Sequence, residues 1–163
     1  MSMDKGETCQ YLTDHGVEFE VTEHAAVYNM AQLDAVALPY PDRDAKNLFV
    51  RDDKRRNYYL ITVRGDKRVD LKQFRRDHGL RPLTFASPQE LMDLLGLLPG
   101  AVTPLGLLHE GEGRVKLFLD DAFQGGCIGV HPNDNTATVW LDAGDLAELL
   151  RQHGSQVEWV TLA

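Results

Sequence analysis

The chain has 163 residues, 43% of them apolar and 26% charged, enough for a single domain over residues 1–163 with a proper core and cramped for two. No run of about 18 apolar residues occurs, and the polar start Met1-Ser2-Met3-Asp4-Lys5-Gly6-Glu7 lacks the basic-then-apolar order of a leader, so a soluble, cytoplasmic protein is expected and no membrane contact. The formal net charge of −8 argues against a polyanion ligand only until its distribution is read: between Arg43 and Arg81 lie 13 of the 17 Lys and Arg and 6 of the 25 Asp and Glu, a stretch of +7 in a remainder of −15, so one cationic face can meet a polyanion while the rest stays acidic.

Asp4 to His15 reads as a helix stopped by Gly16. Val17 to Val21 alternates as a half-buried strand. Asn29 caps a second predicted helix through Leu38, with Met30, Leu33, Val36 and Ala37 at helical spacing and Pro39 closing it. Strands follow at Ala45 to Arg51 and Tyr58 to Val63, joined by the polar loop Asp52 to Asn57; the consecutive Leu48-Phe49-Val50 places the first of them centrally, apolar on both faces. Leu71 to His78 is a short basic helix ending at Gly79, and Leu83 to Phe85 a short strand. Ser87-Pro88-Gln89-Glu90 joins cap, first-turn proline and capping-box glutamate in the sharpest boundary of the chain.

Leu97 to Pro104 is apolar yet broken by two prolines and a glycine, which predicts a buried, shaped loop. Strands are then expected at Leu105 to His109, Val115 to Leu119, Cys127 to His131 and Thr136 to Leu141, a helix at Asp142 to His153 ended by Gly154, and a last strand at Val157 to Val160. Helices and strands mix without a βαβ period, so the class is α+β around one extensive sheet.

The usual hydrolytic toolkits are missing. The six histidines show no paired spacing for a metal, there is no nucleophile elbow, phosphate loop or dinucleotide fingerprint, and neither a metal nor a cofactor is expected. Cys9 and Cys127 stand far apart, so no disulfide framework is implied, and Cys127 inside an apolar strand reads as a packing residue before a nucleophile. Two features remain. Lys46-Asn47 opens the apolar strand, where an ammonium at the edge of a dry region needs an anionic or carbonyl partner, unless it is only a solvated strand end. Gly100-Ala101-Val102-Thr103-Pro104 is a non-helical apolar segment whose backbone groups can line a pocket, unless it is only a turn.

Taken in order, Lys46 to Asp52, Tyr59-Leu60-Ile61, Val69 to Lys72, Pro99 to Pro104, Val130-His131-Pro132 and Asn135 to Val139 resemble the YbaK-type family, and within it the branch of free-standing prolyl-tRNA editing proteins. The resemblance runs from about Leu12 to about Leu150. It implies a mixed, strongly curved sheet or partly closed barrel flanked by helices, and deacylation of mischarged tRNA, with alanine favoured over cysteine as the amino acid removed; a tRNA- or synthetase-binding module without catalysis is the competing reading. The chemistry suits the residues, because a synthetase pocket built for proline rejects a smaller amino acid by only about 1 to 3 kcal/mol and profits from a second, hydrolytic sieve. The ester is labile and its ribose neighbour hydroxyl can orient water, so positioning is the main demand.

By resemblance, Lys46 is the functional lysine, directed at the terminal phosphate or the ester carbonyl, and the segment from Gly100 through Ala101, Val102 and Thr103 to Pro104 faces it across one cleft and holds the terminal adenosine. Asn47 joins the substrate contacts, as does His131 unless it is a structural histidine; Met30, Leu33 and Phe49 fall where this branch forms the small amino-acid pocket, with core packing the competing reading for each, and Arg51 and Arg81 touch the acceptor stem. The partners implied are mischarged tRNA and prolyl-tRNA synthetase, not DNA.

Overall fold

The structure, a computed structural model, describes residues 4–27, 32, 38–40, 42–110 and 113–162. Helix α1, Lys5–Asp14, starts because Asp4 and Glu7 cap each other's backbone amides, at 2.8 and 3.2 Å, and it buries Leu12. Then come β1, Phe19–Glu23; β2, Ala45–Asp52; β3, Tyr58–Arg64; α2, Leu71–Asp77; β4, Leu83–Phe85; α3, Pro88–Leu95; β5, Val115–Asp120; β6, Cys127–Val130; β7, Ala137–Asp142; α4, Ala143–His153; and β8, Gln156–Val160. The capping box read at Ser87 is present on α3, and Gly96 closes that helix with φ 66°, a left-handed conformation that suits glycine.

The α+β class holds, with four α-helices among the described residues, but the one expected sheet is two. A three-stranded antiparallel sheet runs β1-β7-β6, and a five-stranded mixed sheet runs β4-β2-β3-β5-β8, in which β3, β5 and β8 are parallel. Both sheets are open and meet at a single parallel bridge between Asp44 and Gly129. Arg43 clasps this seam: its guanidinium lies over the Phe123 ring and donates to the carbonyls of Ala122, Phe123 and Cys127, while its own carbonyl accepts from Gly129 N at 2.8 Å.

One face of the large sheet packs Phe49, Leu60, Leu117 and Leu119 against Ile128, Val139 and Leu141 of the small sheet and against α1, α3 and α4. The other face, with Val50, Tyr59, Ile61, Val63 and Phe118, is covered by Phe74 of α2. Burial on both faces explains why β2 and β3 read as continuous apolar runs.

Two expectations shift. Residues Leu105 to His109 do not form a strand: Pro104–Leu108 is a 3-10 helix, with Thr103 Oγ1 accepting from Leu105 N at 3.3 Å and Pro104 in the first turn. All five residues are buried, so Leu-Gly-Leu-Leu carries no alternation to tell strand from helix. The first strand lies two residues later than Val17 to Val21, because pairing with β7 carries it through the polar Thr22 and Glu23. The helix expected from Asn29 to Leu38, with Met30 and Leu33, falls largely outside the described residues; Gln32 within it is helical.

Candidate active site

Along β2, strand β3 pairs with Ala45 through Arg51 on one side. On the other side β6 bridges only Asp44 and β4 pairs only with Val50 to Asp52, which leaves Ala45 to Leu48 without a ladder partner there among the described strands. Lys46 and Asn47, the two polar residues singled out from the sequence, sit on that open edge. Strand alternation sends them to opposite faces.

Asn47 turns to the inter-sheet side. Its amide Nδ2 donates to the carbonyl of Val102 at 3.1 Å, and its Oδ1 accepts from the hydroxyl of Thr62, its cross-strand partner, at 2.6 Å. The segment Gly100 to Pro104 is therefore tied to the open edge. Gly100 takes φ 91°, Ala101, Thr103 and Pro104 are buried, and Thr103 caps the 3-10 helix that follows. Of this segment only Ala101 lines a cavity of about 390 Å³, which is otherwise walled by Gly96 to Pro99, Met92, Asp4, Lys5 and the turn Asn133 to Asn135.

Lys46 leaves by the face shared with Leu48 and Val50, and its ammonium donates to the carbonyl of Lys67. It thus flanks the open edge instead of facing the Gly100 segment, which corrects the single-cleft picture. The carbonyl partner is the kind a cation at a dry margin requires. Lys67 itself is paired at 3.1 Å with Asp120, which is fully buried and also accepts from the backbone amides of Arg64 and Ala122.

His131 follows β6, two residues beyond the seam residue Gly129. Its Nδ1 lies 2.8 Å from the carbonyl of Ala137; an oxygen there can only accept, so Nδ1 carries the proton and Nε2 presents a lone pair. Burial pushes the imidazole below its ordinary 6.5, and neighbouring His24 adds to this, against the opposing pull of the Ala137 carbonyl and Asp134. The His24 ring stands 6.1 Å from that of His131, fixed by Ala25 O at 2.8 Å and Thr138 Oγ1 at 3.0 Å.

His24 and Thr62 escaped the sequence reading. The strand expectation stopped at Val21, and only the pairing of β1 with β7 brings His24 alongside Thr138 and His131; Thr62 is an unremarkable strand residue until Asn47 lies across from it. Phe49 lies in the core, stacked on Tyr58 at 5.8 Å, and Met30 and Leu33 lie outside the described residues. Arg51 bonds Glu90 at 3.3 Å and Arg81 bonds Asp53 at 2.7 Å, so both arginines have carboxylate partners. Among the described residues no three His, Cys, Asp or Glu side chains gather as a metal group, and no helix is long and apolar enough to cross a membrane.

The model of the aminoacyl-tRNA editing domain family covers residues 24–149, and the chain belongs to that family. It is accordingly an aminoacyl-tRNA deacylase, a hydrolase. Among its relatives are the prolyl-tRNA editing protein ProX of Acetoanaerobium sticklandii, 34% identical over 99% of this chain and 100% of that protein, and the prolyl-tRNA synthetase associated domain-containing protein 1 of Mus musculus, 32% identical over 92% of this chain and 91% of that one. Two solved structures share the fold: hypothetical protein APE2540, with a TM-score of 0.72 at 20% identity over 94% and 97% of the two chains, and a protein provisionally described as a trans-editing enzyme for prolyl tRNA synthetase, with a TM-score of 0.69 at 24% identity over the whole of both.

Proposed function

We propose that this protein acts in trans, in the cytoplasm, to remove alanine from wrongly charged proline tRNA, with the acceptor end of that tRNA and prolyl-tRNA synthetase as its partners. Support comes from the near full-length likeness to a prolyl-tRNA editing protein. The observation that carries the reading is the Asn47 to Val102 hydrogen bond, which ties the Gly100 to Pro104 segment to the open edge of β2.

In the reaction, the oxygen of a water adds to the ester carbonyl carbon, the bond to the ribose oxygen breaks, and that oxygen takes a proton. Free alanine and a tRNA with its ribose hydroxyl restored are the products. The segment's backbone fixes the terminal adenosine, and Nε2 of His131 accepts from the ribose hydroxyl adjacent to the ester, which in turn orients the water. Lys46 exchanges the Lys67 carbonyl for a substrate oxygen, an exchange its flexible stem permits, and its charge balances the developing oxyanion. Met30 and Leu33 are the residues proposed for the amino-acid space, Phe49 being a core residue, and Arg51 and Arg81, each paired with a carboxylate, are proposed to lie near the face turned to the RNA.

The test is to incubate the protein with separately charged Ala-, Cys- and Pro-tRNA and follow ester loss. Alanine should be released and proline spared, and Lys46→Ala should slow release by about 10² to 10³, the usual loss for one oxyanion partner. Decay of all three esters at the spontaneous rate would mean a tRNA-binding module without catalysis. Cleavage of the cysteine ester alone would transfer the activity to the other substrate.

A further inference from the structure

The tip of the β2–β3 hairpin carries Lys54, Arg55 and Arg56, all exposed and none in a hydrogen bond or salt bridge through its side chain among the described residues. Its shape is built in. Asp52, 1% exposed, accepts from the amides of Lys54 and Arg56 at 3.1 and 2.9 Å and from Nδ2 of Asn57 at 2.8 Å, while Arg55 holds a left-handed φ of 54°. The outer side is pinned by the two-pronged contact of Arg81 with Asp53.

These contacts also remove the local negative charge. Asp52 is buried in the turn, Asp53 is held by Arg81, and Glu90 by Arg51, so these three carboxylates are engaged. Exposed Arg114 stands at the same end, one residue before Val115, which pairs with the first residue of β3. What faces solvent is a preshaped group of four cations.

We propose that this hairpin tip grips the backbone phosphates of the duplex acceptor stem, an inference that rests on the tRNA-deacylase reading and places the RNA relative to it. From Lys46 to Asp52, β2 spans about 20 Å at about 3.4 Å per residue. That equals roughly six stacked nucleotides at about 3.4 Å each, which reaches past the unpaired 3′ end and onto the first pairs of the stem. Strand β2 is the ruler between the ester at one end and the phosphate contacts at the other. The tip offers charge without base-reading side chains in a fixed frame, so it positions the stem and does not read its sequence.

The experiment compares wild type with the Lys54→Gln/Arg55→Gln/Arg56→Gln variant on two substrates: full-length Ala-tRNA, and an alanylated oligonucleotide that ends before the duplex. On full tRNA the variant should lose about 10- to 100-fold in kcat/KM at low salt with kcat unchanged, and its log–log salt slope should flatten by about 2 to 3. On the oligonucleotide the two proteins should be equal. Equal loss on both substrates, or no loss on either, overturns the proposal. If wild type hydrolyses neither substrate, the deacylase reading itself is what fails.

Discussion

Replacing Asn47 by alanine breaks the tether that defines the site. The bond to Val102 O is worth about 1 kcal/mol, and the hydroxyl of Thr62, fully buried, loses its acceptor at a cost of about 1 to 3 kcal/mol, so Asn47→Ala should destabilise by about 2 to 4 kcal/mol. In a chain of this size that lowers Tm by about 5 to 15 °C. Adding Thr62→Val removes the stranded hydroxyl, so the double variant should melt higher than Asn47→Ala although it carries one more change. Scanning calorimetry reads both variants. Deacylation of Ala-tRNA should fall at least tenfold in each, because neither restores the bond to Val102. A single variant melting with wild type, or a double variant melting below the single, would refute the assignment of Asn47 as the tether.

Because His131 is held below its ordinary 6.5, it is neutral at pH 7, and activity should be flat there and fall only as pH drops through a value below 6.5. His24→Asn removes a neighbouring charge that depresses it and should move that acid limb upward; an unmoved limb would separate the two rings functionally. At Glu90, burial alone would raise the carboxyl, but hydrogen bonds from Tyr58, Ser87 and Arg51 outweigh it and hold the pKa down from 4.5 to about 2. A depressed carboxylate stabilises the fold above 4.5 and loses that contribution as pH falls from 4.5 toward 2, at most about 3 kcal/mol; in urea titrations Tyr58→Phe should shrink the acid loss. Gly129→Ala would put a Cβ 2.4 Å from Trp140, a buried ring fixed by Thr22 at 3.0 Å, and should cost about 1 to 3 kcal/mol in urea denaturation.

Local signals were legible wherever a short window decides the outcome. Ser87 to Glu90 announced its helix, Asp52 to Asn57 its hairpin, and Leu48-Phe49-Val50 a strand with two buried faces. Leu105 to His109 misled because an apolar run buried all round has neither a period of two nor one of 3.6 residues to betray it. The site was legible as residue types, Lys46, Asn47 and His131, but their mutual geometry was not. Which face a side chain takes depends on register, and the splitting of the sheet at Asp44 and Gly129 is a long-range event without a local mark. Charge was legible as a +7 stretch, yet whether an arginine meets RNA or a carboxylate depends on partners such as Glu90 that lie 39 residues away.

The seam held by Arg43 has a bearing on how such an enzyme can be retuned. Its guanidinium is spent on three carbonyls and its own backbone on Gly129, so the stand-off between β6 and the start of β2 is held by a clasp that supplies none of the groups proposed to act on the ester. Widening or narrowing the gap for a different acyl group is therefore a matter for the buckle at Arg43 before it is one for any residue lining the gap.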